Sequence, residues 1–340
     1  MTPLVSRTAS PMAITMGDAA GIGPEIIVKL FAQGLPHPTV VYGDAGVLQA
    51  TATRLGLADQ VRISALADAG CVTEAAHLIP VVNRWQALPD NIAPGVLSAA
   101  AGRGAYEYLC QAIDDAMAGQ LRAIVTAPLN KQTMHAGGVD FPGHTEILAQ
   151  RTCTAQFAMM LANQQLRVIL VTIHVALADV PSLITFDAEL ATIRLAHQAC
   201  LQAGVARPRV AVAGLNPHAG ESGRFGSEET QVIEPAIARA RELGIDASGP
   251  WPGDTIFMRA RQDEFDIVVA QYHDQGLIPV KYLGVDEGVN VTVGLPFVRT
   301  SVDHGTAFDI AGKGIADPSS LKAAYDMALR MTDGSGKVDV

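Results

Sequence analysis

The sequence is poor in the features that direct a chain towards several common functional classes. Only 5% of its 340 residues are aromatic and 17% are charged, with a formal net charge of −10 and a pI near 5.3. Nucleic acid and anionic membranes bind basic surfaces, so neither is favoured as the main partner. A small anionic substrate is compatible with this charge, because it needs only a local cluster of cations and helix N-termini.

The cysteines show no spacing typical of a metal site or a disulfide framework. The four of them, Cys71, Cys110, Cys153 and Cys200, are far apart and form no CxxC motif. We expect free thiols, with Cys110 and Cys200 buried in helices, and a reducing cytoplasm. The N-terminal stretch has no apolar signal-like segment, and no apolar run reaches the length of about 18 residues typical of a membrane span. The prediction is a cytoplasmic protein without a membrane span.

Short apolar runs that end in polar residues are what the sequence contains in abundance. Residues 168–173 lead into His174, residues 210–213 are followed by His218, and residues 267–270 are followed by His273. Continuous apolar runs are typical of buried parallel strands, whose carboxyl ends meet at one edge of a sheet. Neutral imidazole is a common ligand for zinc and related ions, and three protein ligands with an open position are typical of a catalytic metal site. The pattern predicts an α/β protein with a three-histidine metal site.

Other polar positions allow two interpretations each. The glycine-rich turn at residues 17–25 matches neither GxGxxG nor a P-loop. His144 and Thr145 lie at a predicted helix start, where they could attract an anion or simply cap the helix. Arg299 could bind an anion or pair with Asp303.

Six longer motifs carry a resemblance to a known family. GDAAGIGPE, VTAPLNK, FPGHTE, GLNPHAGE, YHDQGLIPVK and GVNVTVGLPFVRTSVDHGTAFDIAG follow one another over nearly the whole chain. They resemble the motifs of the 4-hydroxythreonine-4-phosphate dehydrogenase family, known as PdxA. The resemblance implies two α/β domains like those of isopropylmalate and isocitrate dehydrogenases, with the active site in the interdomain cleft. It also implies a homodimer whose active site is shared between subunits.

The resemblance further implies a domain division and a role for individual residues. Residues 1–127 plus 284–340 would form the cofactor-side domain, and residues 128–283 the domain for metal, substrate and dimerisation. The family's metal ligands fall on His174, His218 and His273. Its substrate contacts fall on His144, Thr145, Lys281, Asn290 and Arg299. His304 and Asp309 lie in the implied cofactor region, and Lys281 and Asp254 are the implied catalytic residues.

The implied reaction is the metal-dependent oxidation and decarboxylation of a 4-phosphorylated 3-hydroxy acid by NAD or NADP. Zinc is the first expectation for the metal, with magnesium or cobalt as alternatives. The substrate would be 4-phosphohydroxy-L-threonine, a precursor of pyridoxal phosphate. The family usually has proline at the position of Ala19, so this branch is not assured.

The alternatives are a 4-phospho-D-threonate or 4-phospho-D-erythronate dehydrogenase of sugar-acid catabolism and a terephthalate cis-dihydrodiol dehydrogenase. His144, Thr145, Lys281 and Arg299 favour a phosphorylated substrate over the dihydrodiol. Outside this class, a phosphotransacetylase-like acyltransferase or a non-catalytic metabolite-binding protein is the competing interpretation.

Overall fold

The computed structural model describes residues 10–72, 77–284 and 288–333. These residues form two compact units. The first contains the described residues up to Thr154 together with residues 295–329. The second contains residues 155–294 together with the described residues from Arg330 onward. Within these ranges none of the helices combines the length and the hydropathy that a membrane span needs.

Helices and strands alternate along the first part of the chain. In order they are β1 Met12–Thr15, α1 Gly23–Gln33, β2 Thr39–Tyr42, α2 Ala45–Arg54, β3 Arg62–Leu66, β4 Leu78–Val82, α3 Ala99–Met117, β5 Ala123–Thr126, α4 Lys131–Ala136 and α5 His144–Arg151.

The next part of the chain alternates in the same way. In order it contains β6 Ala158–Ala162, β7 Arg167–Leu170, α6 Val180–Leu183, α7 Phe186–Gln202, β8 Arg209–Ala213, α8 Glu234–Glu242, β9 Asp246–Trp251, α9 Ile256–Arg261, β10 Ile267–Ala270, α10 His273–Tyr282 and β11 Val289–Val293. The chain ends with β12 Val298–Val302 and α11 Ser319–Asp333.

The sheet of the first unit is entirely parallel, in the order β3-β4-β2-β1-β5-β12. Its central strands β1, β2 and β5 are buried at every position. Because parallel strands run in one direction, the loops after β1, β5 and β12 leave the sheet at the same edge. This edge therefore collects the glycine-rich turn, the 127–131 loop and the loop that carries His304.

The sheet of the second unit is mixed, in the order β11-β6-β7-β10-β8-β9. Strands β7, β10, β8 and β9 are parallel, while β6 pairs antiparallel with both β7 and β11. The carboxyl ends of β7, β8 and β10 thus meet at one edge, and each is followed by one of the predicted histidine ligands. The α/β class predicted from the apolar runs is confirmed.

The boundaries between the two units lie further along the chain than the resemblance implied. The divisions fall at 154/155 and 294/295, whereas the predicted boundaries were 127/128 and 283/284. Helices α4 and α5 contact α3, so the segment after β5 remains in the first unit. Strand β11 pairs with β6, so residues 289–293 remain in the second. These pairings join segments far apart in sequence, so the two compact units differ in extent from the domains that the resemblance implies.

Individual elements also differ from their predicted extents. Strand β7 ends at Leu170 rather than at residue 173, so His174 lies in the loop, four residues beyond the strand. A π-helical turn at Glu229–Ile233 directly precedes α8. The prediction for the thiols is confirmed for Cys110 and Cys200, which are buried and free.

Candidate active site

The glycine-rich turn of the first unit is closely packed against the loop after β5. Gly17 has φ of 68°, and a Cβ there would lie 2.2 Å from the carbonyl oxygen of Pro128, so only glycine fits. The Asp18 amide donates to that same oxygen at 2.9 Å. The Asp18 carboxyl accepts from the Ala20 amide at 2.9 Å and from the Thr133 hydroxyl at 2.5 Å, while burial raises its pKa. The hydrogen bonds of Asp18 therefore fix the conformation of the glycine-rich turn.

Arg299 lies in β12 and is almost completely enclosed, with 2% of the residue exposed. Its Nη2 donates to the Thr126 hydroxyl, at the end of β5, at 2.6 Å. Burial lowers the pKa of Arg299 to about 9, and the nearby charge of Glu146 opposes that effect. A guanidinium stays protonated at neutral pH under these conditions. The unit thus contains a buried cation beside a strand end.

His144 is the first residue of α5 and lies close to this cation. Burial, and then the charge of Arg299, lowers the pKa of His144 well below its ordinary value, although a hydrogen bond with the Ala127 backbone raises it. The imidazole is therefore neutral at pH 7. The helix N-cap is Gly143 rather than His144 or Thr145, and no side chain caps the first turn. The N–H groups around Thr145 thus keep their capacity to bind an anion.

The predicted cofactor residues lie in the loop after β12. His304 is half-buried and its Nδ1 lies 3.0 Å from the Gly305 carbonyl oxygen, while Asp309 is exposed. Thr306 connects the loop to the glycine-rich turn, because its carbonyl oxygen accepts from the Ile22 amide at 3.0 Å. An exposed carboxylate beside a fixed loop can accept hydrogen bonds from ribose hydroxyls, so the chemistry of Asp309 fits a dinucleotide.

The second unit contains a cavity of about 720 Å³ at the carboxyl ends of its parallel strands. The residues that line it come from the loop after β8, from the turn before α9 and the start of α9, and from Tyr272 and the length of α10. They are Gly214, Leu215, Asn216, Pro217, His218, Gly253, Asp254, Phe257, Tyr272, Asp274, Gln275, Ile278, Pro279 and Tyr282. The predicted residues His218 and Asp254 therefore share one cavity.

Two of the three predicted metal ligands are close together. The rings of His174 and His273 have centroids 5.8 Å apart. Nδ1 of His273 lies 2.7 Å from Oδ1 of Asp274, which leaves Nε2 available, and carboxylate-oriented histidines are typical metal ligands. His218 instead packs against Phe225, with centroids 6.1 Å apart. Among the described residues no three His, Cys, Asp or Glu side chains form a metal-binding group, so the three-histidine centre stays a prediction whose donor chemistry fits zinc.

The segment that carries His218 has a strained backbone. His218, Ala219 and Ser222 all have positive φ, with values of 54°, 52° and 57°. Residues other than glycine adopt this left-handed region at an energetic cost, and such residues are frequent at functional sites. The buried Glu229 supports the segment, because one of its carboxyl oxygens accepts from the Asn216 amide at 2.7 Å and the other from Asn216 Nδ2 at 3.0 Å.

The remaining predicted residues of the second unit are spread over several elements. Lys281 lies half-buried in the last turn of α10, and Asp254 lines the cavity. Asn290 lies within the antiparallel strand β11 and not in a loop at the carboxyl ends of the parallel strands. Its Oδ1 is buried with no hydrogen-bond partner among the described residues.

The sequence did not predict that three polar residues of this unit are buried. Glu189 and Gln271 are 0% exposed and Glu229 is 1% exposed. Glu189 follows Thr185 and Asp187 at the start of α7, where acids ordinarily complement the helix dipole at the surface. Glu229 lies in a similarly polar stretch. Their burial is visible only in the folded chain.

Comparisons with known proteins agree over most of the chain. The model of the family described as pyridoxal phosphate biosynthetic protein PdxA matches residues 35–328. A 4-hydroxythreonine-4-phosphate dehydrogenase of Beijerinckia indica is 53% identical, covering 94% of this chain and 95% of that protein. A D-threonate 4-phosphate dehydrogenase of Salmonella typhimurium is 44% identical, covering 94% of this chain and 98% of that protein.

Solved structures show the same relationship. The crystal structure of 4-hydroxythreonine-4-phosphate dehydrogenase from Klebsiella pneumoniae has a TM-score of 0.87 and 41% identity, covering 95% of this chain and 99% of that one. A terephthalate 1,2-cis-dihydrodiol dehydrogenase from Burkholderia xenovorans is more distant, with a TM-score of 0.68 and 32% identity over 94% of this chain and 97% of that one. With the strand-end histidines and the buried arginine in place, these matches establish that the chain belongs to the PdxA family.

Proposed function

We propose that this protein is a metal-dependent, NAD(P)-linked dehydrogenase that oxidises and then decarboxylates a 4-phosphorylated 3-hydroxy acid. The first candidate substrate is 4-phosphohydroxy-L-threonine, the substrate class named for the relative from Beijerinckia indica. The family's dehydrogenases imply a nicotinamide cofactor and a divalent ion.

The observation that carries the proposal is the buried guanidinium of Arg299 beside a neutral His144. A cation that is 2% exposed is stabilised when an anion joins it, and a phosphate matches the fork of guanidinium donors. The first turn of α5, which no side chain caps, adds backbone donors for the same group. The imidazole of His144 is neutral and has one N–H, which the Ala127 backbone uses, so its other ring nitrogen can accept a hydrogen bond from a substrate hydroxyl without adding charge. This set favours a phosphorylated substrate over a dihydrodiol.

His174, His218 and His273 are the residues that would hold the divalent ion. When bound, the ion supplies a Lewis acid that makes a substrate hydroxyl more acidic and stabilises charge on its oxygen. Asp274 orients His273 by its hydrogen bond at 2.7 Å, which keeps the other ring nitrogen free for coordination. Zinc is proposed first because imidazole is among its preferred ligands; magnesium and cobalt are the alternatives.

Lys281 is proposed to take the proton that leaves the substrate hydroxyl. Loss of this proton, together with hydride transfer to the nicotinamide, converts the CH–OH group into a ketone. The resulting 3-keto acid then loses CO₂, and Lys281 returns a proton to the carbon that carried the carboxylate. Asp254 and Asn290 are proposed as further polar contacts, and His304 with Asp309 as contacts to the cofactor.

The assembly proposed from the family resemblance is a homodimer whose active site draws on both subunits. A cytoplasmic location is consistent with free thiols at Cys71, Cys110, Cys153 and Cys200.

The principal alternative is a dehydrogenase of 4-phospho-D-threonate or 4-phospho-D-erythronate. It is supported by the 44% identity to the Salmonella typhimurium D-threonate 4-phosphate dehydrogenase. Both substrates present a phosphate and a 3-hydroxy acid, so Arg299 and the histidines serve them equally. Family membership weighs against the acyltransferase and the non-catalytic alternatives.

The test is reduction of NAD or NADP by the purified, metal-loaded protein. Four substrates are compared: 4-phosphohydroxy-L-threonine, 4-phospho-D-threonate, 4-phospho-D-erythronate and a cis-dihydrodiol dicarboxylate. Each is measured with and without a chelator. We expect turnover of one phosphorylated acid, lost on chelation and restored by zinc, and release of CO₂ in equal amount. Turnover of the dihydrodiol alone, or turnover insensitive to chelation, would contradict the proposal.

A further inference from the structure

A single residue connects the ends of the three strands that precede the histidines. Gln271 directly follows β10, and its carbonyl oxygen accepts from the Thr172 amide at 3.2 Å and from the Thr172 hydroxyl at 2.7 Å. Its side-chain Nε2 donates to the carbonyl oxygen of Ala213, the last residue of β8, at 2.9 Å. Gln271 therefore joins the segments that lead to His174 and to His218, and it lies two residues before His273.

Gln275 adds a second connection from the first turn of α10. Its Oε1 accepts from the Gln271 amide at 2.7 Å, and its Nε2 donates to the Gly214 carbonyl oxygen at 2.7 Å. Both ends of this amide are thus used by backbone groups at the ends of β10 and β8. The two glutamines together fix the relative positions of the segments at three strand ends.

Glu189 lies behind Gln271 in an entirely buried position. Its Oε1 accepts from Gln271 Nε2 at 3.2 Å, while its Oε2 has no hydrogen-bond partner among the described residues. Burying a carboxyl group with incomplete hydrogen bonding is unfavourable, and an apolar side chain of similar size would ordinarily be more stable there. The one hydrogen bond that this acid accepts from a side chain of the described residues comes from Gln271, so we relate its presence to the position of that side chain.

We propose that Gln271 and Gln275, with Glu189 holding Gln271 from behind, are positioning residues that determine where His174, His218 and His273 lie. The inference rests on the proposed function, because its purpose is to bring three ligands to one ion. None of the three positioning residues needs to contact the ion or the substrate. Their effect is on the geometry of the segments that carry the ligands.

The test compares Gln271→Leu with a matched control in the same strands. Asp266 is the control, because it joins β10 to β8 at their opposite ends: its carboxyl accepts from the Arg209 amide at 2.8 Å and from Arg209 Nε at 3.0 Å. Asp266→Ala removes a link of the same kind where no histidine follows. Glu189→Gln is the conservative variant, since it retains an acceptor oxygen for Gln271.

The measurements are the dissociation constants of zinc and cobalt by titration calorimetry on the full chain, and the ligand-field absorption of the cobalt form. We expect Gln271→Leu to weaken binding by at least about tenfold and to change the cobalt spectrum. Asp266→Ala and Glu189→Gln should bind within about threefold of wild type. An unchanged affinity and spectrum in Gln271→Leu, or an equal loss in Asp266→Ala, would overturn the proposal.

Hydrogen exchange in the metal-free proteins separates this inference from the proposed function. If the glutamines position the segments, Gln271→Leu should speed amide exchange in residues 171–175 and 214–219 by at least about tenfold, and Asp266→Ala should not. If Gln271→Leu shows this faster exchange but the wild-type protein binds no metal, the metal centre is disproved and the positioning role is retained. Unchanged exchange in Gln271→Leu would count against positioning whether or not metal binds.

Discussion

The candidate anion site of the first unit and the candidate metal site of the second are built in opposite ways. Arg299 lies within a strand and is 2% exposed, whereas the side chain of His273 is 39% exposed and His174 and His218 lie in loops. The arginine is held by a short hydrogen bond to the adjacent strand. By our proposal, the positions of the histidines depend on Gln271, Gln275 and Glu189, which lie behind the segments that carry them.

This difference suggests different demands on the two groups. A buried guanidinium needs no rearrangement to receive a phosphate, since its position is determined by β12 itself. The histidines follow the ends of three different strands, and the rings of His174 and His273 are 5.8 Å apart. We therefore expect changes in the first unit to affect substrate affinity, and changes in the second to affect metal binding and turnover.

The largest effect is expected from His218→Ala. Loss of a ligand should lower metal-dependent kcat by at least about 100-fold, because Lewis-acid stabilisation contributes several kcal/mol and each 1.4 kcal/mol is about tenfold. The measurement is turnover at saturating substrate with bound zinc determined in parallel. The fold should be retained, since His218 is exposed. The control is His135→Ala, another exposed histidine; full activity in His218→Ala would remove His218 from the site.

Glu189→Gln should alter the pH dependence of stability. Burial raises the pKa of Glu189 from its usual 4.5 to about 7. Between these values the native state holds a proton that the unfolded state has lost, so the free energy of unfolding falls as the pH rises through this window. The glutamine does not titrate, and it should therefore gain stability over wild type on the order of 3 kcal/mol above the window and almost nothing below it.

Urea unfolding at a series of pH values between about 4 and 8 measures this gain. The matched control is Glu242→Gln, an exposed acid of α8 whose side chain is 65% accessible. The control should show no such trend. A constant difference between Glu189→Gln and wild type across the range would contradict the assigned pKa.

Arg299→Met should raise KM for a phosphorylated substrate by more than about tenfold, with a smaller change in kcat. Charged hydrogen bonds contribute roughly 1.5–3 kcal/mol, and the variant retains the volume of the side chain. Steady-state kinetics with and without the phosphate on the substrate measures the effect. Arg122→Met is the control, because Arg122 is also buried, at 9% exposure, but precedes β5 at the opposite edge of the sheet. An unchanged KM in Arg299→Met would assign Arg299 a structural role only.

The smallest effect is expected from Asp274→Asn. The asparagine can still contact His273 Nδ1 but no longer provides a negative charge, so metal affinity should fall by about tenfold while substrate KM changes little. Competition for zinc between the protein and a chelating dye measures the metal affinity. Asp187→Asn, an exposed acid at the start of α7, is the control. A rise in KM without loss of metal would instead place Asp274 against the substrate.

Local patterns were sufficient for most of the elements and for the placement of three histidines after parallel strands. The apolar runs before His174, His218 and His273 predicted parallel strands, and β7, β8 and β10 are parallel neighbours. Local patterns did not predict environments that depend on pairing between distant segments. Asn290 lies in an antiparallel strand because β11 pairs with β6, and Glu189 is buried because α7 packs on β10.

The sequence by itself determined the α/β alternation, the glycine at the Pro128 contact and the histidines that follow three strands. Each depends on residues close together in the chain, through apolar periodicity or turn chemistry. Only the tertiary structure decided the unit boundaries, the enclosure of Arg299 and the amide network of Gln271 and Gln275. Burial and hydrogen bonding across strands depend on which segments become neighbours, and no local pattern encodes that choice.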